Sequence, residues 1–238
     1  TTKGISSEYL SMVHKPVNMK EALKNPDGRK AMEKEWSKLE NQKAWLLDSV
    51  RLKSEVKAEA RKLNIPMHFG ALMPLCHIKN YQLEKILWEW KGRIVFRGDN
   101  VTDEYGHFAV WGEQGTCSSH LMATRFVDAI ARMPGNDGED TEATGAKTQS
   151  DLGKDCPTKW KKKKKNRWPK EWFDIYTDEK DPPVVILKRN LYGHPRAGYY
   201  WEKYCAAAVK KCGFEKVVGW ECLWQHKKNK LFLSIYVD

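Results

Sequence analysis

The chain has 238 residues, 41% of them hydrophobic and 31% charged, which suffices for one large domain or two small ones with a core. Mean hydropathy is -0.71, and no uninterrupted apolar run reaches the roughly eighteen residues of a membrane span, so a transmembrane helix is excluded. A net charge of +11 and a pI near 9.2 favour a polyanionic partner, nucleic acid before membrane.

The chain starts at Thr1 with neither an initiator Met nor a signal-peptide pattern. It therefore reads as a fragment or an incomplete gene product, with no support for secretion. Residues 1–17 show no period and are expected to be a loose lead-in. From Arg29 to about Lys43 the spacing of Met32, Trp36 and Leu39 predicts a helix, with Asn25-Pro26-Asp27-Gly28 punctuating its start. A second, polar helix is predicted over Lys53–Leu63, ahead of Pro66. Short strands are expected at Met67–Ile78 and Arg93–Arg97, then a turn at Gly98-Asp99-Asn100.

Ser118 and Ser119 are candidate caps for a helix running to about Met133, with Met122, Phe126, Ala129 and Met133 on one face. Residues 139–183 look least ordered, being polar and interrupted by Pro157, Pro169, Pro182 and Pro183. Lys161 to Lys165 are five consecutive lysines. Such a run reads first as a solvated loop and second as an electrostatic grip on phosphates. Val184–Leu187 reads as a buried strand, and Ala197 to about Lys211 as a helix closed by Gly213. Two β-rich runs, Glu221–His226 and Leu231–Val237, flank Lys227-Lys228-Asn229-Lys230, which predicts a hairpin. In its second strand Leu231, Leu233, Ile235 and Val237 share one face, and Asp238 lies on the other with Ser234 and Tyr236.

Cys76, Cys117, Cys156, Cys205, Cys212 and Cys222 include no CxxC pair and read as reduced intracellular thiols rather than a zinc site. Eleven tryptophans are unusual. Those beside basic residues (Trp90, Trp160, Trp168) could stack on bases, although burial is the commoner use of an indole. His68, His77, His107, His120, His194 and His226 lie in no nucleophile motif, and no Walker-type phosphate loop is present.

The order of these elements resembles the palm and fingers of a polymerase, and more specifically the reverse transcriptase domain of copia-type LTR retrotransposons, a diverged branch. The resemblance runs from about Ala31 to Asp238. Ala31-Met32-Glu33-Lys34-Glu35-Trp36 through Leu39, Asn41 and Trp45 is similar to the family's opening helix. Lys91-Gly92-Arg93-Ile94-Val95-Phe96-Arg97-Gly98 resembles its "KARLVAKG" strand. Leu191-Tyr192-Gly193 followed by Ala197 and Trp201 resembles "LYGLKQA…W". Gly213-Phe214 and Ser234-Ile235-Tyr236-Val237-Asp238 resemble "GF" and the start of "YVDD".

The resemblance implies an α+β fold, an antiparallel sheet with helices packed on one face. Its expected divisions are a lead-in over 1–17, a fingers-like part with the start of the palm over 18–135, and a truncated palm over 136–238. It implies template-primer RNA or DNA and deoxynucleoside triphosphates as partners, other parts of a retrotransposon polyprotein beside it, and an intracellular setting, cytoplasmic or nuclear. Polymerases of this kind use two Mg²⁺ ions held by carboxylates. The resemblance gives Glu142 the place of the first metal-binding Asp and gives Asp238 the first place in the hairpin pair. Lys91, Arg93, Arg97 and, near the expected glutamine, Arg196 would meet the nucleotide. Asp140 could serve only by a slip in register, and Lys147 adds a charge where an apolar residue is usual. With Glu142 a methylene too long and the second hairpin Asp missing, the chain is expected to be inactive. The alternatives are a non-catalytic nucleic-acid-binding remnant and a pseudogene product of the same fold.

Overall fold

The computed structural model describes residues 13–111, 121–153, 156, 158–161 and 168–235. Ser118, Ser119, Lys162 to Lys165 and Asp238 lie outside the described residues. The chain divides into two compact units, one of residues 1–107 with 158–187 and one of residues 108–157 with 188–238. This differs from a single cut near residue 135, because the chain returns to the first sheet after leaving it.

The first unit holds β1 (Lys15–Val17), α1 (Met19–Lys24), α2 (Pro26–Asn41), β2 (Trp45–Leu52), α3 (Lys53–Leu63), β3 (His68–Lys79) and β4 (Glu89–Phe96). Later in the chain it gains β5 (Thr158–Lys161), α6 (Trp172–Ile175) and β6 (Pro183–Leu187). Asn25 starts α2: its Oδ1 accepts from the backbone N–H of Asp27 at 2.8 Å and of Gly28 at 3.2 Å, with Pro26 in the first turn. The helix thus begins three residues before Arg29, because the punctuation is itself its first turn. Met32, Trp36 and Leu39 are buried on one face, as their spacing requires. α3 ends at Asn64 in the left-handed conformation, two residues before Pro66.

The sheet runs β1-β3-β5-β6-β2, with β4 also paired to β3. All pairs are antiparallel except β3 with β5. Two expectations change here. The end of the presumed lead-in is a strand, since Lys15–Val17 pairs with Cys76–Ile78. The polar stretch 139–183 contributes β5, the start of β6 and the short helix α6, whose Trp172 is buried.

Burial along β3 shows how the sheet is covered. Beyond Leu72 it alternates, with Cys76 and Ile78 buried and Met73 and Leu75 exposed, so one face there is covered. α2 is the cover: the Cβ position of Gly92 on β4 lies 2.8 Å from the Ala31 carbonyl oxygen and 2.9 Å from Met32 Sδ. A side chain at 92 would prevent that approach. Trp90 packs on the same helix at Gly28, so this indole is a packing residue. At the other end Phe69, Gly70 and Ala71 are buried in succession, and Phe69 clusters with Val56 of α3 and Val184 of β6. The sheet expected to carry helices on one face is therefore covered on both faces at this end, because apolar residues there occupy both sides of the strand.

The second unit holds α4 (Leu121–Ala131), α5 (Ala146–Gln149), α7 (Ala197–Lys211) and a separate antiparallel sheet of β7 (Glu215–Lys216), β8 (Leu223–His226) and β9 (Leu231–Ser234). α7 spans the predicted residues, and β8 and β9 form the predicted hairpin. Two face assignments change. α4 turns Ala123, Phe126 and Ile130 inward and leaves Met122 and Met133 exposed. Phe126, which the expected face also includes, packs edge-on against Phe232 of β9, ring centroids 5.2 Å apart. On β9 Leu231 is 50% exposed, so the predicted apolar face is only partly covered.

Candidate nucleic-acid interface

The covered face of β3–β4 fixes what its other face presents. Because Gly92, Ile94 and Phe96 turn toward α2, Lys91, Arg93 and Val95 turn the opposite way. On β3 the residues directly across are His77 opposite Lys91, Leu75 opposite Arg93 and Met73 opposite Val95. Lys79 completes the row, opposite Glu89. From the β1 side His14 stacks on His77, with ring centroids 5.1 Å apart and planes 19° from parallel. The result is a mainly basic patch of Lys79, Lys91, Arg93, His14 and His77, with Glu89 at its end opposite Lys79. Beside it sit the exposed apolar side chains Met73 and Leu75, 36% and 41% accessible.

The titration of His77 registers that charge. Partial burial lowers its pKa below the usual imidazole value, and nearby His14, Arg93, Lys79 and Lys91 lower it further. Arg97 is arranged differently. Its fork donates to both carboxylate oxygens of Asp99, Nε at 3.1 Å and Nη2 at 2.7 Å. That pairing raises the pKa of Arg97 and lowers that of Asp99. Arg97 thus presents a guanidinium held in a bidentate pair with Asp99.

In the second unit the Leu191-Tyr192-Gly193 turn rests on buried polar groups. Asn190 is fully buried and donates through Nδ2 to Ser150 Oγ at 3.1 Å and to the Ala197 carbonyl at 2.8 Å. Its backbone N–H donates to the Ser150 carbonyl at 3.0 Å, so α5 and the start of α7 are tied through one side chain. Gly193 has φ +83°, a left-handed turn conformation that suits glycine. His194 is buried, and its Nδ1 accepts the Arg196 backbone N–H at 3.1 Å, which leaves the ring proton on Nε2, 3.8 Å from Cys156 Sγ. Arg196 lies over the rings of Tyr199 and Tyr200, 4.7 Å and 5.1 Å from their centroids. Lys147 lies over Tyr192 at 4.8 Å, which gives this charge an aromatic neighbour.

Of the expected carboxylates only those of the acidic stretch fall among the described residues. Glu142 is exposed, as is Asp140, and residues 136–143 form no strand. The acidic stretch therefore does not lie beside the hairpin on a shared sheet: its polar residues have no apolar face to bury, and it stays irregular. Asp238 lies outside the described residues. Among the described residues no group of three or more His, Cys, Asp or Glu side chains is placed to hold a metal ion. Among the described residues, one exposed Glu on a segment without a strand does not fit a two-metal cradle, which needs carboxylates held rigidly together. Among the described residues no helix is long and apolar enough to cross a membrane.

Lys91 and Arg93 are marked in the sequence, whereas His14, Met73, Leu75, His77 and Lys79 belong to no motif. The alternation of Met73, Leu75, His77 and Lys79 along one predicted strand was the available signal.

A stretch of 56 residues, 23% of the chain, is 34% identical to part of the truncated transposon Ty1-A Gag-Pol polyprotein of Saccharomyces cerevisiae. The same identity and length relate the chain to the Ty1-DR5 and Ty1-LR2 Gag-Pol polyproteins of that yeast. The match spans 4% of the first of these relatives and 3% of the other two. The chain is thus related over that stretch to a transposon Gag-Pol polyprotein. No family model matches it, and no solved structure matches it.

Proposed function

We propose that the chain is a piece of the reverse transcriptase (RNA-directed DNA polymerase) region of a copia-type retrotransposon polyprotein, catalytically inactive as it stands, with palm-and-fingers ancestry. Its surviving property is binding of single-stranded nucleic acid through phosphates. The observation that carries this reading is the open face of β3–β4. Lys91 and Arg93 stand there, at the positions that the family resemblance assigns to phosphate contact, and Lys79 is beside them. The partial similarity to transposon polyproteins supports the same origin. The inactivity follows from the donor set, in which an exposed Glu142 takes the place of a rigid Asp.

Two assays on the full chain test this. Primer extension on an RNA template with Mg²⁺ and the four deoxynucleotides is expected to give no product. Mg²⁺-dependent extension would overturn the inactive assignment. Titration of a labelled single-stranded oligonucleotide over a salt series is expected to give a log–log slope near about −2, from three cations at about 0.7 each. Lys91→Gln should reduce that slope by about 0.7. An affinity indifferent to salt would refute nucleic-acid binding.

A further inference from the structure

We propose that the open face of β1–β3–β4 is a proton-coupled binding platform for single-stranded nucleic acid, in which His77, stacked on His14, takes up one proton from solvent when phosphates dock. The inference rests on the nucleic-acid reading above and adds to it the binding face and its regulation by pH. Three observations carry it. First, two imidazoles lie stacked at 5.1 Å at the edge of a cationic row, where two positive rings would repel. Second, His77 Nε2 is enclosed without a hydrogen-bond partner, so no acceptor among the described residues stabilises a proton there. Third, exposed Met73 and Leu75 adjoin the cations, a pairing of apolar and positive surface that suits unstacked bases with their phosphates.

Charges around the pair come from β4, β1, β3 and α1. β4 supplies Lys91 and Arg93 together with Glu89, which faces Lys79 of β3. β1 supplies Lys15, whose ammonium is engaged by the Tyr81 hydroxyl at 2.8 Å and the Tyr81 ring at 4.3 Å. α1, which packs on β3, carries Lys20, Glu21 and Lys24, and Glu21 acts on Lys15. The charges that depress His77 are all cationic, so the unliganded face disfavours its proton. A phosphate laid across Lys91 and Arg93 reverses that sign. Proton and phosphate then favour each other reciprocally, and affinity rises as pH falls. Lysine and arginine stay charged throughout this range and supply no such dependence.

The test is fluorescence anisotropy of a labelled single-stranded oligonucleotide with the full chain at pH 6.0, 7.0 and 8.0 and fixed ionic strength. Circular dichroism confirms that each variant is folded. The wild-type Kd is expected to fall several-fold from pH 8.0 to 6.0, with a ceiling of about tenfold per pH unit for one proton. In His77→Gln the Kd should be flat and close to the wild-type value at pH 8.0. In heteronuclear spectra the His77 ring should titrate at higher pH once the oligonucleotide is added. A wild-type Kd independent of pH, or His77→Gln retaining the wild-type profile, overturns the proton coupling while leaving nucleic-acid binding intact. Failure to bind at any pH overturns the underlying reading. Equal affinity for polyglutamate of the same charge overturns the assignment of nucleic acid as the partner.

Discussion

Gly92→Ala tests whether β4 is aimed by its contact with α2. A Cβ built at 92 would sit 2.8 Å from the Ala31 carbonyl oxygen, 2.9 Å from Met32 Sδ and 3.0 Å from the Ala31 carbonyl carbon. Two of these atoms are helix backbone, and Met32 is 2% exposed, so no flexible side-chain end can swing aside. Helix or strand must move by several tenths of an ångström, an overpacking that costs about 1–3 kcal/mol. Loss of unfolded-state freedom at a former glycine returns about 0.4–1 kcal/mol. The net is a destabilisation of about 1–2 kcal/mol. For a chain of this size each kcal/mol moves Tm by about 2–4 °C, so the midpoint should drop by roughly 2–8 °C. Thermal melts followed by far-UV circular dichroism measure it. Gly219→Ala is the reference, since φ there is +80° and nothing lies within 4 Å of the added Cβ, leaving backbone strain alone. A Gly92→Ala protein that melts at or above the wild-type midpoint would refute the close-packed strand and, with it, the outward aim of Lys91 and Arg93.

Asn190→Ala should cost about 2 kcal/mol or more, read in urea titration, because it leaves the Ala197 carbonyl and Ser150 Oγ without the Nδ2 donor in a fully buried place. An unchanged midpoint would show that the turn at Leu191 does not depend on this tie. Acid should destabilise the first unit. Burial holds both His68 and His77 below the ordinary imidazole pKa, so the unfolded chain binds protons that the folded chain resists. That stability is present above about pH 6.5 and is lost as pH falls through the lowered folded values. Melting midpoints should therefore decline from pH 7.5 to 5.5, and His77→Gln should flatten the decline. A midpoint constant over this range would contradict the placement of both rings.

Much of the secondary structure was written locally. Met32, Trp36 and Leu39 recur at helical spacing and are buried in α2, and Lys53–Leu63 and Ala197–Lys211 are helical over the residues that their sequence marks. The hairpin of β8 and β9 followed from two apolar runs around a polar link. Less was legible where a strand depends on distant partners. Lys15–Val17 carries no period of its own and is a strand because Cys76–Ile78, far along the chain, offers it hydrogen bonds. β5 in its lysine-rich setting is a strand because β3 and β6 pair with it.

The candidate site divides in the same way. Charge and alternation along β4 are local properties, so Lys91 and Arg93 could be singled out from the sequence, and α2 decided which way they face. The neighbourhood of His77 could not be read from the sequence. His14, Lys79, Lys91 and Arg93 reach it from three strands or their ends, and only backbone pairing sets their register. A linear sequence fixes residue types and periods, whereas the sign and strength of a field depend on distances between groups far apart in the chain. Those distances come from long-range hydrogen bonds and from the burial of one sheet face.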